Sequence, residues 1–264
     1  MKLGFIGCGN MAGAIMGGIV NNGFLKPEDI IGADLFEGSR EKVKKAYGIN
    51  TTDSNLEVAE KAETIILSVK PQFYHSVISE IKDTIKPETL IITIAPGKTL
   101  EWLRSEFGHD VKIVRTMPNT PALVLEGMTA ACVNAFVTEE EKNYAVRLLE
   151  SFGKVSVVPE KMIDAVVSVS GSSPAYVFMM IEAMADGAVR EGMPRPMAYQ
   201  FAAQAVLGSA KMVLELGKHP GELKDMVCSP GGTTIEAVRV LEEMGFRSAI
   251  MEAEAACAEV SRSL

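Results

Sequence analysis

Histidine and cysteine are both scarce in this chain, and that scarcity narrows its chemistry first. Three histidines, His75, His109 and His219, occur in 264 residues, and the four cysteines (Cys8, Cys132, Cys228, Cys257) form no C-x-x-C pair. A histidine-based metal centre, a zinc site and a redox dithiol are disfavoured, so no metal is expected. Long apolar runs are missing too: no stretch approaches the roughly 20 uninterrupted residues of a membrane span. Acids and bases sum to a net charge of −8 but are interspersed rather than blocked, which leaves no footprint for nucleic acid or an anionic membrane. Neither is expected as a partner. Lys2 before an apolar run has the look of a secretion signal, yet Gly4, Gly7, Gly9 and Asn10 break that run; a cytoplasmic protein is expected.

What the chain does have is a glycine turn at its start. Lys2-Leu3-Gly4-Phe5-Ile6 reads as a short strand and runs directly into Gly7-Cys8-Gly9-Asn10-Met11-Ala12. Strand, G-x-G-x-x-A turn and small-residue helix together place a helix N-terminus against a dinucleotide pyrophosphate. Gly7 permits the tight turn, Gly9 keeps side chains away from the phosphate, and Ala12 lets the helix lie close to the strand. An ordinary strand-to-helix turn is the plainer alternative. A second apolar run, Ile30-Ile31-Gly32-Ala33, argues against it by ending in Asp34, near the roughly 20-residue spacing of the acid that meets the adenosine ribose. A carboxylate there accepts from the ribose hydroxyls of NAD and repels the 2′-phosphate of NADP unless a cation offsets it. Arg40 and Lys42 follow closely, so both coenzymes stay open, with a lean to NAD. Alternatively, Asp34 is a surface acid capping a helix that starts near Ser39.

From residue 1 to 158 apolar runs alternate with helical patterns. Thr64 to Val69, Leu90 to Ile94 and Val111 to Arg115 read as buried strands, with helices near 10–22, 39–47, 54–61, 73–81 and 99–107. Gly127 to Val133 and Lys154 to Val158, around a helix over 138–152, extend the sheet at its far edge. The alternation predicts a mostly parallel sheet in a Rossmann-type domain spanning 1–158. Ligands of such a sheet sit beyond the carboxyl ends of its strands. The Pro- or Gly-rich turns Ser68-Val69-Lys70-Pro71, Ala95-Pro96-Gly97 and Met117-Pro118-Asn119-Thr120-Pro121 therefore line the expected cleft. After Pro159 the pattern turns purely helical, giving an all-α domain over 159–264. Its helices over 174–191 and 197–216 carry narrow polar stripes, Glu182, Asp186 and Arg190 in the first and Gln200, Gln204, Lys211 and Glu215 in the second. Helices apolar around most of their circumference need covering on several sides, which points to a second subunit.

Two segments of the helical half look chemical: Ser170-Gly171-Ser172-Ser173-Pro174-Ala175, and a loop from His219 to Thr234 that ends Ser229-Pro230-Gly231-Gly232-Thr233-Thr234 before a helix beginning at Ile235. Thr233 and Glu236 have capping-box spacing, so a capped helix needing no function is one reading. Unshielded amides at Gly231 and Gly232 with the neighbouring hydroxyls make a carboxylate receptor the other. No Ser/His/Asp or Cys/His set assembles, and Gly171-Ser172-Ser173-Pro174-Ala175 lacks the final glycine of G-x-S-x-G. Hydrolysis is disfavoured. Reduction of an already protonated C=N bond by a nicotinamide needs no strong acid or base, only hydroxyl donors and positioning.

The glycine turn, Ser68-Val69-Lys70-Pro71, Met117-Pro118-Asn119-Thr120-Pro121, Gly171-Ser172-Ser173-Pro174-Ala175-Tyr176 and His219 to Thr234 together resemble the pyrroline-5-carboxylate reductases over nearly the whole chain. The last segment is the most specific part. The resemblance implies the final step of proline biosynthesis, hydride transfer from NADPH or NADH to the cyclic imino acid 1-pyrroline-5-carboxylate. It also implies a Rossmann domain and a helical domain that pairs subunits into homodimers, with larger rings in some members. By motif, Ile6, Gly7, Cys8, Gly9, Asn10 and Met11 belong to the coenzyme's pyrophosphate segment, and Asp34 and Asn55 to its adenosine end. Ser68, Val69, Lys70, Pro71, Ala95 and Asn119 line the way to the nicotinamide. Val227, Ser229, Gly231, Gly232, Thr233 and Thr234 hold the substrate, with Thr234 and Lys70 as catalytic residues and Thr234 the donor to the ring nitrogen.

The chain departs from the family pattern at Pro96, Ser173, Cys228 and Asp34, the last standing where many members carry a small or basic residue. Two other functions share its outline. A β-hydroxyacid-type dehydrogenase has a similar pair of domains but needs a base such as lysine, and Lys161, Lys211, Lys218 and Lys224 have no distinctive setting. A sensor or scaffold would bind NAD(P) without turnover.

Overall fold

The computed structural model describes residues 1–263. Its first part alternates strand and helix: β1 (Leu3–Ile6), α1 (Asn10–Asn21), β2 (Ile30–Ala33), α2 (Glu37–Tyr47), β3 (Asn50–Thr52), α3 (Asn55–Lys61), β4 (Thr64–Leu67), α4 (Tyr74–Ile81), β5 (Leu90–Thr93), α5 (Leu100–Phe107), β6 (Lys112–Met117), β7 (Gly127–Val133), α6 (Glu139–Leu149) and β8 (Gly153–Val157). The remainder is helical: α7 (Ile163–Val166), a π-helical turn over Val167–Ser172, α8 (Ser173–Arg190), α9 (Arg195–Leu216), α10 (Pro220–Val227), α11 (Thr233–Glu243) and α12 (Phe246–Ser263). By compactness the described chain forms two units, one of Met1–Ser172 with the end of the chain from Cys257, the other Ser173–Ala256.

The first unit is the expected doubly wound α/β sheet, in the order β3-β2-β1-β4-β5-β6-β7-β8. All pairs are parallel except β6 with β7, because the stretch from Pro118 to Glu126 is too short to hold the helix of a crossover. Side chains alternate across the strands and fill two cores. Leu3, Phe5, Ile66, Leu90, Ile92 and Val114 pack with Ile15, Ile19, Leu148 and Phe152 on one face; Ile31, Ile65, Leu67, Ile91 and Ile113 pack with Val58, Ile78, Ile81, Leu103 and Phe107 on the other. Burial of each large aliphatic side chain contributes about 1.5–3 kcal/mol, so double burial explains the uninterrupted apolar runs. Helix starts follow capping chemistry. Ser54 accepts from Glu57 N–H and Thr99 from Trp102 N–H, and Thr138 and Glu141 complete a capping box at α6.

The units part after Ser172, later in the chain than the expected domain boundary at 158. Ile163 and Val167 pack on Ala130 and Cys132, while Glu160 ties back to Arg115 (2.8 Å) and to the Leu100 amide (2.7 Å). The end of the chain is fastened to the same unit, Ser261 Oγ donating to Asp164 Oδ1 at 2.8 Å. In the second unit α8 and α9 pair around Ala185, Ala198 and Ala202, with Arg195 and Asp186 forming an ion pair. Their large apolar side chains stay uncovered within one chain: Phe178, Phe201 and Leu214 are 63%, 64% and 83% exposed.

Candidate functional site

The glycine turn is built from the register of β1 with its neighbours. Gly7 N–H donates to Ala33 at the end of β2 (2.8 Å) and Ser68 N–H, just past β4, donates to Ile6 (2.9 Å); Ser68 Oγ closes the turn on the Gly7 carbonyl at 2.7 Å. Gly7 has φ +101°, and a Cβ there would lie 2.8 Å from the Ser68 carbonyl carbon and oxygen. Only glycine fits. Gly9, the N-cap of α1, makes no side-chain cap, and a Cβ on it would meet nothing within 4 Å. The first-turn amides of α1 thus face open space, where the helix dipole and free N–H groups receive an anion. A hollow of about 400 Å³ adjoins them, with Gly9, Asn10, Lys42 and Thr120 in its wall. Lys42 Nζ lies 3.3 Å from Asn10 Oδ1, bringing a cation beside the turn. This chain's own groups therefore fit a dinucleotide pyrophosphate.

Asp34 lies where the motif needs it, half-buried after β2, but its carboxylate already serves the protein. Oδ2 accepts from Cys8 N–H at 2.8 Å and Oδ1 from Phe36 N–H at 2.9 Å. It does not cap a helix near Ser39: α2 starts at Glu37, and its N-cap Phe36 makes no side-chain cap. Arg40 Nη1 donates to the Asp34 and Leu35 carbonyls (2.7 and 3.2 Å), holding a cation over the same loop. Asn55 opens α3 with its amide on Glu80 (2.8 Å). Past β4, Val69 is half-buried and Lys70 exposed, and Pro71 begins a 3-10 turn; Ala95 is buried after β5. Asn119 uses both ends of its amide within the protein, accepting from Met128 N–H (2.8 Å) and donating to the Ser170 carbonyl (3.0 Å).

Cys8 within the turn is structural. Burial and the adjacent Asp34 carboxylate push its thiol up to about 12 against the opposing pull of Arg40; burial and Glu160 push Cys132 up to about 11. A thiol near 12 is roughly one part in ten thousand thiolate at pH 8, and thiolate is the reactive form. Iodoacetamide at pH 8 should therefore label Cys8 and Cys132 only after denaturation while Cys228, half-exposed, reacts in the folded protein. Peptide mass mapping with Cys8 modified without unfolding would contradict this.

In the second unit the segment from His219 to Thr234 is not one loop. Residues 220–227 form α10, with Pro220 in its first turn and His219 Nδ1 accepting from Gly221 N–H at 3.0 Å. Proline and glycine, read as loop formers, are here start signals. The loop proper covers Cys228–Gly232; Gly231 takes φ +67° and Gly232 N–H donates to Ser229 O at 3.0 Å. α11 begins at Thr233, ahead of Ile235, with Gly232 as an N-cap that makes no side-chain cap. The capping box does not form, because the helix starts one residue early: Thr233 is already its first residue and Gly232 its N-cap, and the Glu236 carboxylate meets Arg239 at 3.0 Å. Val227, Ser229, Gly231 and Thr233 are exposed and Gly232 and Thr234 half-exposed, so hydroxyls and the first-turn amides of α11 converge on one short turn. Such a turn suits a carboxylate and a small polar ring.

The Ser173–Pro174 entry to α8 is preceded by a π-turn that the sequence reading did not foresee. Its signal was Pro174, which has no N–H to continue an α-helical ladder.

The chain matches known protein families over both its N-terminal and its C-terminal parts. Residues 160–264 match the family described as pyrroline-5-carboxylate reductase dimerisation, and residues 2–97 the family described as NADP oxidoreductase, coenzyme F420-dependent. The chain is 55% identical over 266 aligned positions to the pyrroline-5-carboxylate reductase of Escherichia coli K12, covering 100% of this chain and 98% of that one. It is 43% identical to that of Methanosarcina acetivorans (100% and 97%). Among solved structures, a pyrroline-5-carboxylate reductase from Coxiella burnetii superposes with TM-score 0.90 at 34% identity (99% and 97% covered). The Plasmodium falciparum pyrroline carboxylate reductase with NADP bound superposes with TM-score 0.92 at 33% identity (100% and 97%). A prephenate dehydrogenase from Aquifex aeolicus, at 15% identity and TM-score 0.56, shares the fold alone.

Proposed function

The chain belongs to the pyrroline-5-carboxylate reductase family, and from that premise we propose how its residues divide the work of the reaction. The protein is an NAD(P)H-dependent oxidoreductase that reduces the C=N bond of 1-pyrroline-5-carboxylate to give L-proline, the last step of proline biosynthesis. The coenzyme supplies the hydride. Gly7, Gly9, Asn10 and Met11, within the segment Ile6–Met11, hold its pyrophosphate on the open first turn of α1; Asp34 and Asn55 serve its adenosine end, and Ser68, Val69, Pro71 and Ala95 its nicotinamide end. Lys70, exposed just past the carboxyl end of β4, keeps that end in register.

Val227, Ser229, Gly231, Gly232 and Thr233 take the substrate carboxylate and ring. The observation that carries this reading is that α11 starts at a glycine N-cap, which has no side chain to cap the helix: its first-turn amides are left for a ligand. The protonated imine carbon is electrophilic unaided. As hydride reaches it, the ring nitrogen gains a lone pair, and the Thr234 hydroxyl, a donor as well as an acceptor, turns its proton to that pair. No general base is required.

The working domains in this reading are 1–158 for the coenzyme and 159–264 for dimerisation and substrate; the family match beginning at residue 160 supports that boundary. The family and the exposed apolar faces of α8 and α9 support a homodimer formed through the helical domain, and rings of dimers are the finer proposal. A cytoplasmic location is supported by four cysteines without a disulfide. Purified protein should oxidise NADH or NADPH only when 1-pyrroline-5-carboxylate is added, followed by loss of reduced-nicotinamide absorbance. No oxidation with either coenzyme removes the assignment.

A further inference from the structure

We infer that Asn119 is a positioning residue for the reduction, one that fastens the π-turn Val167–Ser172 to the ligand end of β6; the inference rests on the reading of the chain as a reductase. It begins with a missing hydrogen. In an α-helix the Ser170 carbonyl accepts from the residue four positions on, which is Pro174, and proline has no N–H to give. The ladder widens into a π-turn at this point, an irregularity that occurs frequently at functional sites. The Asn119 amide provides a replacement donor, its Nδ2 standing 3.0 Å from the Ser170 oxygen. Its other end accepts from Met128 N–H at 2.8 Å, where β7 begins.

One side chain, 8% exposed, thus joins the turn after β6, the start of β7 and the π-turn. A second contact braces the same place. A Cβ on Gly171 would come within 2.7 Å of the Met117 methyl, so the π-turn lies directly on the last residue of β6. The carboxyl end of β6 is at the ligand edge of the sheet. With both ends of the amide engaged by the protein, Asn119 acts on the reaction through the turn it holds and not as a coenzyme ligand. Misplacing reacting groups by about 1 Å lowers turnover by orders of magnitude. Loss of this fastening should appear in kcat.

Asn119→Asp keeps the acceptor for Met128 N–H and replaces the donor to Ser170 by a carboxylate oxygen; Asn119→Ser is too short to reach both partners. In each folded variant kcat should fall about tenfold or more while the dissociation constant of NADPH changes by less than about threefold. Adding Pro174→Ala to Asn119→Ser returns an N–H at the α-helical donor position and should restore part of the lost kcat. A kcat within about twofold of the parent in a folded variant overturns the proposal. So does a coenzyme dissociation constant that rises as much as kcat falls, which would make Asn119 a direct ligand. The parent protein is assayed alongside: inactivity there removes the reductase reading, whereas active parent and unimpaired variants remove only the role of Asn119. With two variants, a folding failure of one leaves the other to decide.

Discussion

Thr234→Ala should lower kcat by about 100-fold and leave the affinity for NADPH or NADH within about twofold. The size follows from the role proposed for the hydroxyl. It is half-exposed near the start of α11, and truncating it removes a donor needed only as the ring nitrogen acquires its lone pair. An interaction made in the transition state and not in the ground state appears in kcat rather than in KM. Coenzyme affinity is spared because the pyrophosphate turn, Asp34 and the turn after β4 all belong to the Met1–Ser172 unit, and the substitution touches neither the glycines nor the amides there. Thr234→Ser retains the hydroxyl and should regain most of the rate, its extra rotamer freedom accounting for the shortfall. The comparison needs steady-state kinetics with saturating coenzyme and a fluorescence titration of the coenzyme alone. Should Thr234→Ala weaken coenzyme binding as much as turnover, or should Thr234→Ser be as slow as alanine, the hydroxyl does not carry the step.

The α/β half was legible because its signals are local and repeated. Thr64-Ile65-Ile66-Leu67 could only be a doubly buried strand, and Thr138 three residues before Glu141 could open a helix at 139 with no help from the rest of the fold. The glycine turn was legible for the same reason, each glycine standing where a side chain would strike backbone or fill the open face. What escaped depends on partners distant in sequence. The engagement of Asp34 with Cys8 N–H requires the parallel register that sets Ile6 beside Ala33. The reversal of β7 depends on the shortness of one connection. α10 was hidden because Pro220 and Gly221 punctuate loops and open helices alike, and only the His219 cap distinguishes the two. At α11 the capping-box spacing misled because the turn through Gly231, with φ +67°, starts the helix one residue early, at a Gly232 N-cap. The π-turn has no composition of its own; its cause is an absent N–H and its cure a side chain from β6's end, far away in sequence.

The largest effect on stability should come from the tie between β6 and the residues that follow β8. Arg115 is 4% exposed and Glu160 34%. One oxygen, Glu160 Oε1, accepts both from Arg115 Nη1 at 2.8 Å and from the Leu100 amide opening α5 at 2.7 Å. The two residues are not equivalent. Glu160→Ala strands a guanidinium that water barely reaches, whose Nε already lacks a partner, and it also uncovers the Leu100 N–H. Breaking a buried pair in this way costs roughly 3 kcal/mol. Arg115→Met removes the buried charge together with its unsatisfied nitrogen and fills similar volume, while Glu160, a third exposed, hydrates and keeps its bond to Leu100. That cost should be about 1 kcal/mol or less. Urea denaturation of the two single variants and of the double variant measures the asymmetry as a difference in midpoint at constant slope. Equal losses would mean that the pair acts through its mutual attraction alone, and a loss under about 0.5 kcal/mol for Glu160→Ala would mean that Arg115 finds solvent without it. In the second case the segment after β8 would be held to the sheet by Ile163 and Val167 and not by charge. The same titration read through Trp102, the chain's one tryptophan and the second residue after Leu100 on α5, reports whether that helix end loosens first.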